Sequence, residues 1–233
     1  MLKDFITNAS VLIASFFIIG HYYKNKPVRI TSPLAMRINL GIVFGLLGIV
    51  LMLFSIRLTP TVIVDLRHIT VIIAALYGGM AAALVSAAMI AAGRIALFGF
   101  HPASVTAAIF MLAIGIGCGF LSRARILYWK KSQIMNVFCL LLLSLCLYLN
   151  IGQKSLLLSV YLYHWSISIS VVFLLFLLPG IFRWPIPFFE KYRKVKTATA
   201  PSSTIVKTSF FKQMPKGFGR SLIRHGRKLP GFP

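Results

Sequence analysis

Long apolar runs separated by short, basic polar segments set the pattern of this chain. Runs at about 5–22, 38–56, 62–78, 80–99, 104–121, 134–151 and 156–182 predict helices, several of them near the ~20 residues that cross a bilayer. Two of these runs are continuous in hydrophobicity. From Val62 to Gly99 a straight helix would measure roughly 57 Å, nearly twice the ~30 Å hydrocarbon core. The stretch must reverse, and Gly78-Gly79 is where the pattern permits a bend. The arms of that hairpin can be short or tilted, so the expected count is five to seven helices. The expected fold is all-α: a polytopic transmembrane helix bundle over 1–190, followed by a disordered basic tail, 191–233.

Small residues cluster where helices should pack closely. Gly41 and Gly45 form one G-x-x-x-G, Gly115 and Gly119 another, and alanines keep the segment after Gly79 thin. Gly115, Gly117 and Gly119 lie inside an apolar helix, without the strand that a phosphate-binding loop requires.

Composition agrees with a membrane protein. The 233 residues are 58% hydrophobic and carry three acids, Asp4, Asp65 and Glu190, which excludes an ordinary soluble domain. The net charge of +22 does not point to nucleic acid, because eleven of the 25 Lys and Arg follow Glu190 and most others sit between apolar runs. With seven passes, three basic clusters share one side: Lys24 to Arg37, Arg123 to Lys131, and Arg183 to Lys194. The positive-inside rule makes that side cytoplasmic, which places the C-terminus inside and Asp65, Arg94 and His101 towards the outside. Tyr22, Tyr23, Trp129 and Trp184 then mark the inner interface. The run Phe5–Gly20 lacks a small-x-small cleavage site and reads as a first membrane helix. Cys118, Cys139 and Cys146 fall in apolar segments without ligand spacing, so they read as packing residues, and no cofactor or metal is expected.

The chemistry concentrates in the hairpin. Asp65 lies fourteen residues before Gly79 and Arg94 fourteen after Met80. Both are therefore about 21 Å from the bend, at one depth on adjacent antiparallel arms. Each charge alone would cost on the order of 3 kcal/mol near the bilayer centre. Two readings stay open for Asp65, Arg67 and Arg94: an ion pair that sets helix register, or a ligand-binding switch with His68 as an extra donor. His164, between Tyr163 and Trp165, reads as part of an interfacial aromatic belt. No Ser/His/Asp set, HExxH, P-loop or carboxylate pair occurs, so the chain is not expected to be an enzyme by itself.

The runs LGIVFGLLGIVLMLFSI, VDLRHITVIIAALYGG and AALVSAAMIAAGRIALFG resemble the LytS/YhcK-type multi-pass receptor domain of bacteria. Its hallmark, a D-x-R before an apolar stretch, a Gly-Gly bend and then an Arg before an aromatic/Gly pair, falls here on Asp65, Arg67, Gly78, Gly79, Arg94 and Gly99. The resemblance covers roughly 1–190. It implies a sensory input in the bacterial plasma membrane, fused at its cytoplasmic end to histidine kinases or to PAS, GGDEF and EAL modules of cyclic di-GMP metabolism. One branch of the family is linked to cell-wall control. The expected partners are the lipid bilayer, a small ligand or envelope signal, and a second copy of the chain, since the family's kinases and cyclases act as pairs. The competing expectation is a transporter subunit similar to the substrate-binding component of energy-coupling-factor importers.

The tail departs from the family pattern: after Glu190 it has no acids and no plausible core. One base out of frame, with permitted codons, VKTATAPSS reads SENSYRSIV and QMPKGFGRSLIRHGRK reads TDAEGVWTFINPAWEK, both similar to the opening of a PAS domain and in the right order. The tail is therefore expected to be a disordered arm or an out-of-frame PAS remnant, the chain being a receptor without its output. Stop codons in the shifted frame of the coding DNA would end the second reading.

Overall fold

The computed structural model describes residues 2–23, 28–58, 62–151 and 154–177. The tail, Lys24, Lys26, Arg183 and Trp184 lie outside the described residues. The order is α1 (Leu2–Tyr22), α2 (Leu34–Leu53), β1 (Ile56–Arg57), β2 (Ile63–Val64), α3 (His68–Phe98), α4 (Pro102–Leu121), α5 (Tyr128–Asn150) and α6 (Lys154–Leu177). The fold is an all-α bundle. The β-pairing among the described residues is one antiparallel two-residue ladder, with Ile56 opposite Val64. Helices α2 to α6 each contain a stretch long and apolar enough to cross a membrane, and the apolar part of α1, Ile6–Tyr22, is shorter.

The predicted reversal is present, inside α3. Gly79 adopts φ 67° and ψ −155°, and helical backbone resumes on either side. This combination of φ and ψ is open essentially to glycine alone and costs other residues about 1–3 kcal/mol. The depth markers on α2 show that the chain doubles back there. A Cβ on Gly48 would meet both Ile90 and Thr70, which lie on opposite sides of the bend. Arg37, near the start of α2, donates from Nε to the Gly78 carbonyl at 2.6 Å and so satisfies an acceptor freed where the first arm ends.

The first arm differs from the expected helix over 62–78. Helix begins only at His68, leaving eleven residues or about 16 Å before the bend. Val62–Arg67 is extended or turned backbone, yet every residue of it is buried. Non-helical backbone at membrane depth persists only when other protein groups satisfy it or when it lines a cavity. Asn8, fully buried on α1, supplies part of that satisfaction. Its Oδ1 accepts the Leu66 N–H at 3.0 Å, and its Nδ2 donates to the Leu51 and Phe54 carbonyls at 3.0 and 3.3 Å. One side chain thus serves the end of α2 and the approach to α3.

The G-x-x-x-G pairs pack within the bundle. A Cβ on Gly41 would lie 2.8 Å from the Ala82 carbonyl oxygen, and one on Gly45 would lie 2.8 Å from the Met89 Cβ. Gly115 meets Ala83 and Ala87 in the same way, so α2 and α4 flank the second arm of α3. Helix α3 is 72% buried over its apolar window against 33–44% for the other four spans, which puts it at the centre.

Two of the basic residues read as topology signals also close helix ends. Besides Arg37, the buried Lys131 donates from Nζ to the Ser122 carbonyl at the C-terminus of α4, at 2.8 Å.

Candidate functional site

The sequence D-L-R-H starts α3 by a local device. Asp65 Oδ1 accepts the main-chain N–H of Arg67 at 3.0 Å, an Asx-type turn that ends the extended segment. The same oxygen lies 3.3 Å from Arg67 Nε. Thr70 Oγ1 then donates to the Arg67 carbonyl at 2.7 Å. Both charged side chains are buried, with Asp65 4% and Arg67 7% exposed.

The second arm of α3 brings Arg94 to the same level, 2% exposed, with its guanidinium 4.3 Å above the Phe98 ring. Asp65, Arg67 and Arg94 line one cavity of about 40 Å³. Its remaining walls are Val62–Val64, Ala103, Ala107 and Met111 of α4, Leu143, Cys146, Leu147 and Asn150 of α5, and His164 of α6. One side of the cavity is therefore charged and the other side mostly apolar. Arg94 sits within Coulombic range of both Arg67 and Asp65. Two guanidiniums face one carboxylate, which leaves the cavity an excess positive charge.

The cluster does not satisfy itself. Asp65 Oδ2 and Arg67 Nη1 are buried and have no hydrogen-bond partner among the described residues. Such atoms cost about 1–3 kcal/mol each, more when charged, unless something in the cavity engages them.

Of the residues singled out from the sequence, Asp65, Arg67 and Arg94 come together. Gly78 and Gly79 lie at the bend, at the opposite end of the hairpin. His101 is exposed at the N-cap of α4 and does not line the cavity. His68, expected as an extra donor at the site, does not line the cavity. It is fully buried with Nε2 2.9 Å from Ser168 Oγ, and Ser168 in turn donates to Asn136 Oδ1 at 2.8 Å.

His164 corrects the belt reading. It is 3% exposed, lines the cavity beside Asp65 and meets the His68 ring edge-on at 5.3 Å. Of its aromatic neighbours, Tyr163 is exposed, while Tyr161 Oη and Trp165 Nε1 tie α6 to Ser144 of α5 at 2.7 and 3.0 Å. Asn136, Cys146, Asn150 and Ser168 were not singled out. The available signal was spacing: His164 and Ser168 fall four apart on a helix whose other inward residues are Leu157, Val160, Val171 and Val172.

The family profile described as 5TMR of 5TMR-LYT matches residues 21–182. The Uncharacterized protein YhcK of Bacillus subtilis (strain 168) is 33% identical over 175 residues, covering 73% of this chain and 46% of that protein. The chain thus spans less than half the length of the curated relative. No solved structure matches it.

Proposed function

Since the chain belongs to the LytS/YhcK-type five-transmembrane receptor family, whose domain is the sensory input of histidine kinases, we propose that it senses a small anion in the Asp65–Arg67–Arg94 cavity. The observation that carries this reading is the buried excess of positive charge beside Arg67 Nη1, which has no hydrogen-bond partner among the described residues. A carboxylate or phosphate oxygen is the natural complement of paired guanidiniums. Size narrows the class further. A volume of about 40 Å³ corresponds to roughly three water-sized positions, enough for a ligand of a few heavy atoms.

Two arrangements of the site supply the switch. In one, Arg67 leans on Asp65 at 3.3 Å. In the other, the guanidinium is shared with the anion, and the ligand shifts the equilibrium by its preference for one arrangement. The basic clusters around Arg29–Arg37 and Arg123–Lys131 support an orientation with the cavity on the extracytoplasmic side of the plasma membrane and the C-terminus in the cytoplasm. The paired output is proposed to be a histidine kinase phosphorelay or a cyclic di-GMP enzyme acting in cell-envelope control. The out-of-frame PAS reading of residues 191–233 belongs to the same proposal and is decided by the coding DNA.

The test uses the full chain in nanodiscs and calorimetric titration with acetate, inorganic phosphate and neutral acetamide. Saturable binding of an anion, absent with acetamide and weakened about tenfold or more by either Arg67→Gln or Arg94→Gln, supports the reading. Anion binding insensitive to both substitutions, or none at all, defeats it.

A further inference from the structure

The cavity is tied to the last helix by side chains rather than by broad helix packing. The four-residue segment Asp65–His68 reaches α6 at two points one turn apart. Its first residue lines the cavity together with His164, and its last meets Ser168 through the imidazole. The two histidine rings touch edge to face between these points. Asn136 of α5 closes the chain by accepting the Ser168 hydroxyl.

This polar seam occupies an unusual place. The inward stripe of α6 is apolar above and below it, with Val160 at one end and Val171 and Val172 at the other, all buried. A stripe built only for packing would carry another aliphatic residue at 164 and 168, because buried polar groups add cost wherever they are incompletely paired. Here the polar pair lies where α6 passes the Asx turn that also positions Arg67. Any ligand that pulls Arg67 away from Asp65 acts on the turn held by Asp65 Oδ1, and so on both attachments to α6.

Resting on the receptor reading above, we infer that His68, His164, Ser168 and Asn136 form the transmission latch of this protein. Occupancy of the cavity is passed to α6 by rearrangement of the His164 and His68–Ser168–Asn136 contacts. These four are positioning residues, and Ser168 and Asn136 do not line the cavity themselves.

Hydrogen-exchange mass spectrometry of the full chain in nanodiscs tests the coupling without a ligand. Arg67→Gln perturbs the cavity end, and Ser168→Ala removes the far hydroxyl. The expected result is that Arg67→Gln speeds exchange over residues 160–172 by about fivefold in the native background and by less than about twofold once Ser168 is alanine, because residues in one network are non-additive. A purely structural Ser168 would leave the two effects multiplicative, and that outcome overturns the latch. Ser166→Ala, at an exposed neighbouring position, serves as the control that leaves the response intact. Should Ser168→Ala fail to fold, Asn136→Leu with Asp65→Asn repeats the cycle from the other end. Multiplicative rates alongside intact anion binding sink the latch but leave the receptor; loss of anion binding alongside an intact cycle does the reverse.

Discussion

Asp65 holds Arg67 through a single oxygen: Oδ1 accepts the Arg67 main-chain N–H at 3.0 Å and faces its Nε at 3.3 Å, while Oδ2 stays buried without a hydrogen-bond partner among the described residues. The turn and the ion pair therefore depend on the same atom, and charge can be removed without removing the acceptor.

Asp65→Asn makes that separation. The amide oxygen keeps the turn, but Arg67 and Arg94 lose the carboxylate they share. Stability should fall by about 3 kcal/mol, read as a lower melting temperature in detergent, because a buried charge is left without its counterion. Adding Arg94→Gln should recover part of the loss by restoring charge balance. Equal melting temperatures for native and Asp65→Asn protein would show the pair to be solvent-screened.

Gly79→Ala forces a side chain into φ 67°, and its Cβ would sit 3.1 Å from Arg37 Nη2 and 3.3 Å from Ile30 Cγ2. A cost of about 1–3 kcal/mol from the backbone alone is expected. Gly99→Ala, also at positive φ but 3.4 Å from its nearest neighbour, His101 Nε2, should carry the backbone cost with less crowding. Thermal unfolding of the two variants side by side checks the order.

Asn8→Ala removes three hydrogen bonds and leaves the Leu66 N–H and the carbonyls of Leu51 and Phe54 to find other partners. Each buried group so orphaned costs about 1–3 kcal/mol. Asn8→Asp keeps the acceptor for Leu66 and should be the milder change if the approach to α3 matters more than the end of α2. Hydrogen exchange at Leu66 separates the two contributions.

Orientation is open to labelling. Phe100, 79% exposed between α3 and α4, lies at the cavity end, and Ile126, 42% exposed between α4 and α5, lies at the opposite end. In intact cells a membrane-impermeant maleimide should modify Phe100→Cys and spare Ile126→Cys, in a background with Cys118, Cys139 and Cys146 changed to serine. The reverse pattern would place the cavity in the cytoplasm.

Much of the fold was legible before any coordinates. A 38-residue apolar stretch cannot cross once, and glycine is the residue that tolerates the needed φ, so the reversal at Gly79 follows from length and sterics. Asp65 and Arg94 do line one cavity, but helix rise alone does not place Asp65, which precedes the first helical turn at His68. Less legible was the first arm. Hydropathy cannot distinguish helix from the buried extended backbone of Val62–Arg67, because the distinction rests on hydrogen bonds made by Asn8, some fifty-eight residues earlier in the chain.

Amino-acid order alone determined the solvent this protein lives in, its apolar runs and the bend between two of them, because transfer free energy and backbone sterics are local. Tertiary structure alone decided which way each helix is turned about its own axis. That rotation, set by packing between elements far apart in the chain, moved His68 away from the cavity, brought His164 into it, and joined His68 to Ser168 and Asn136.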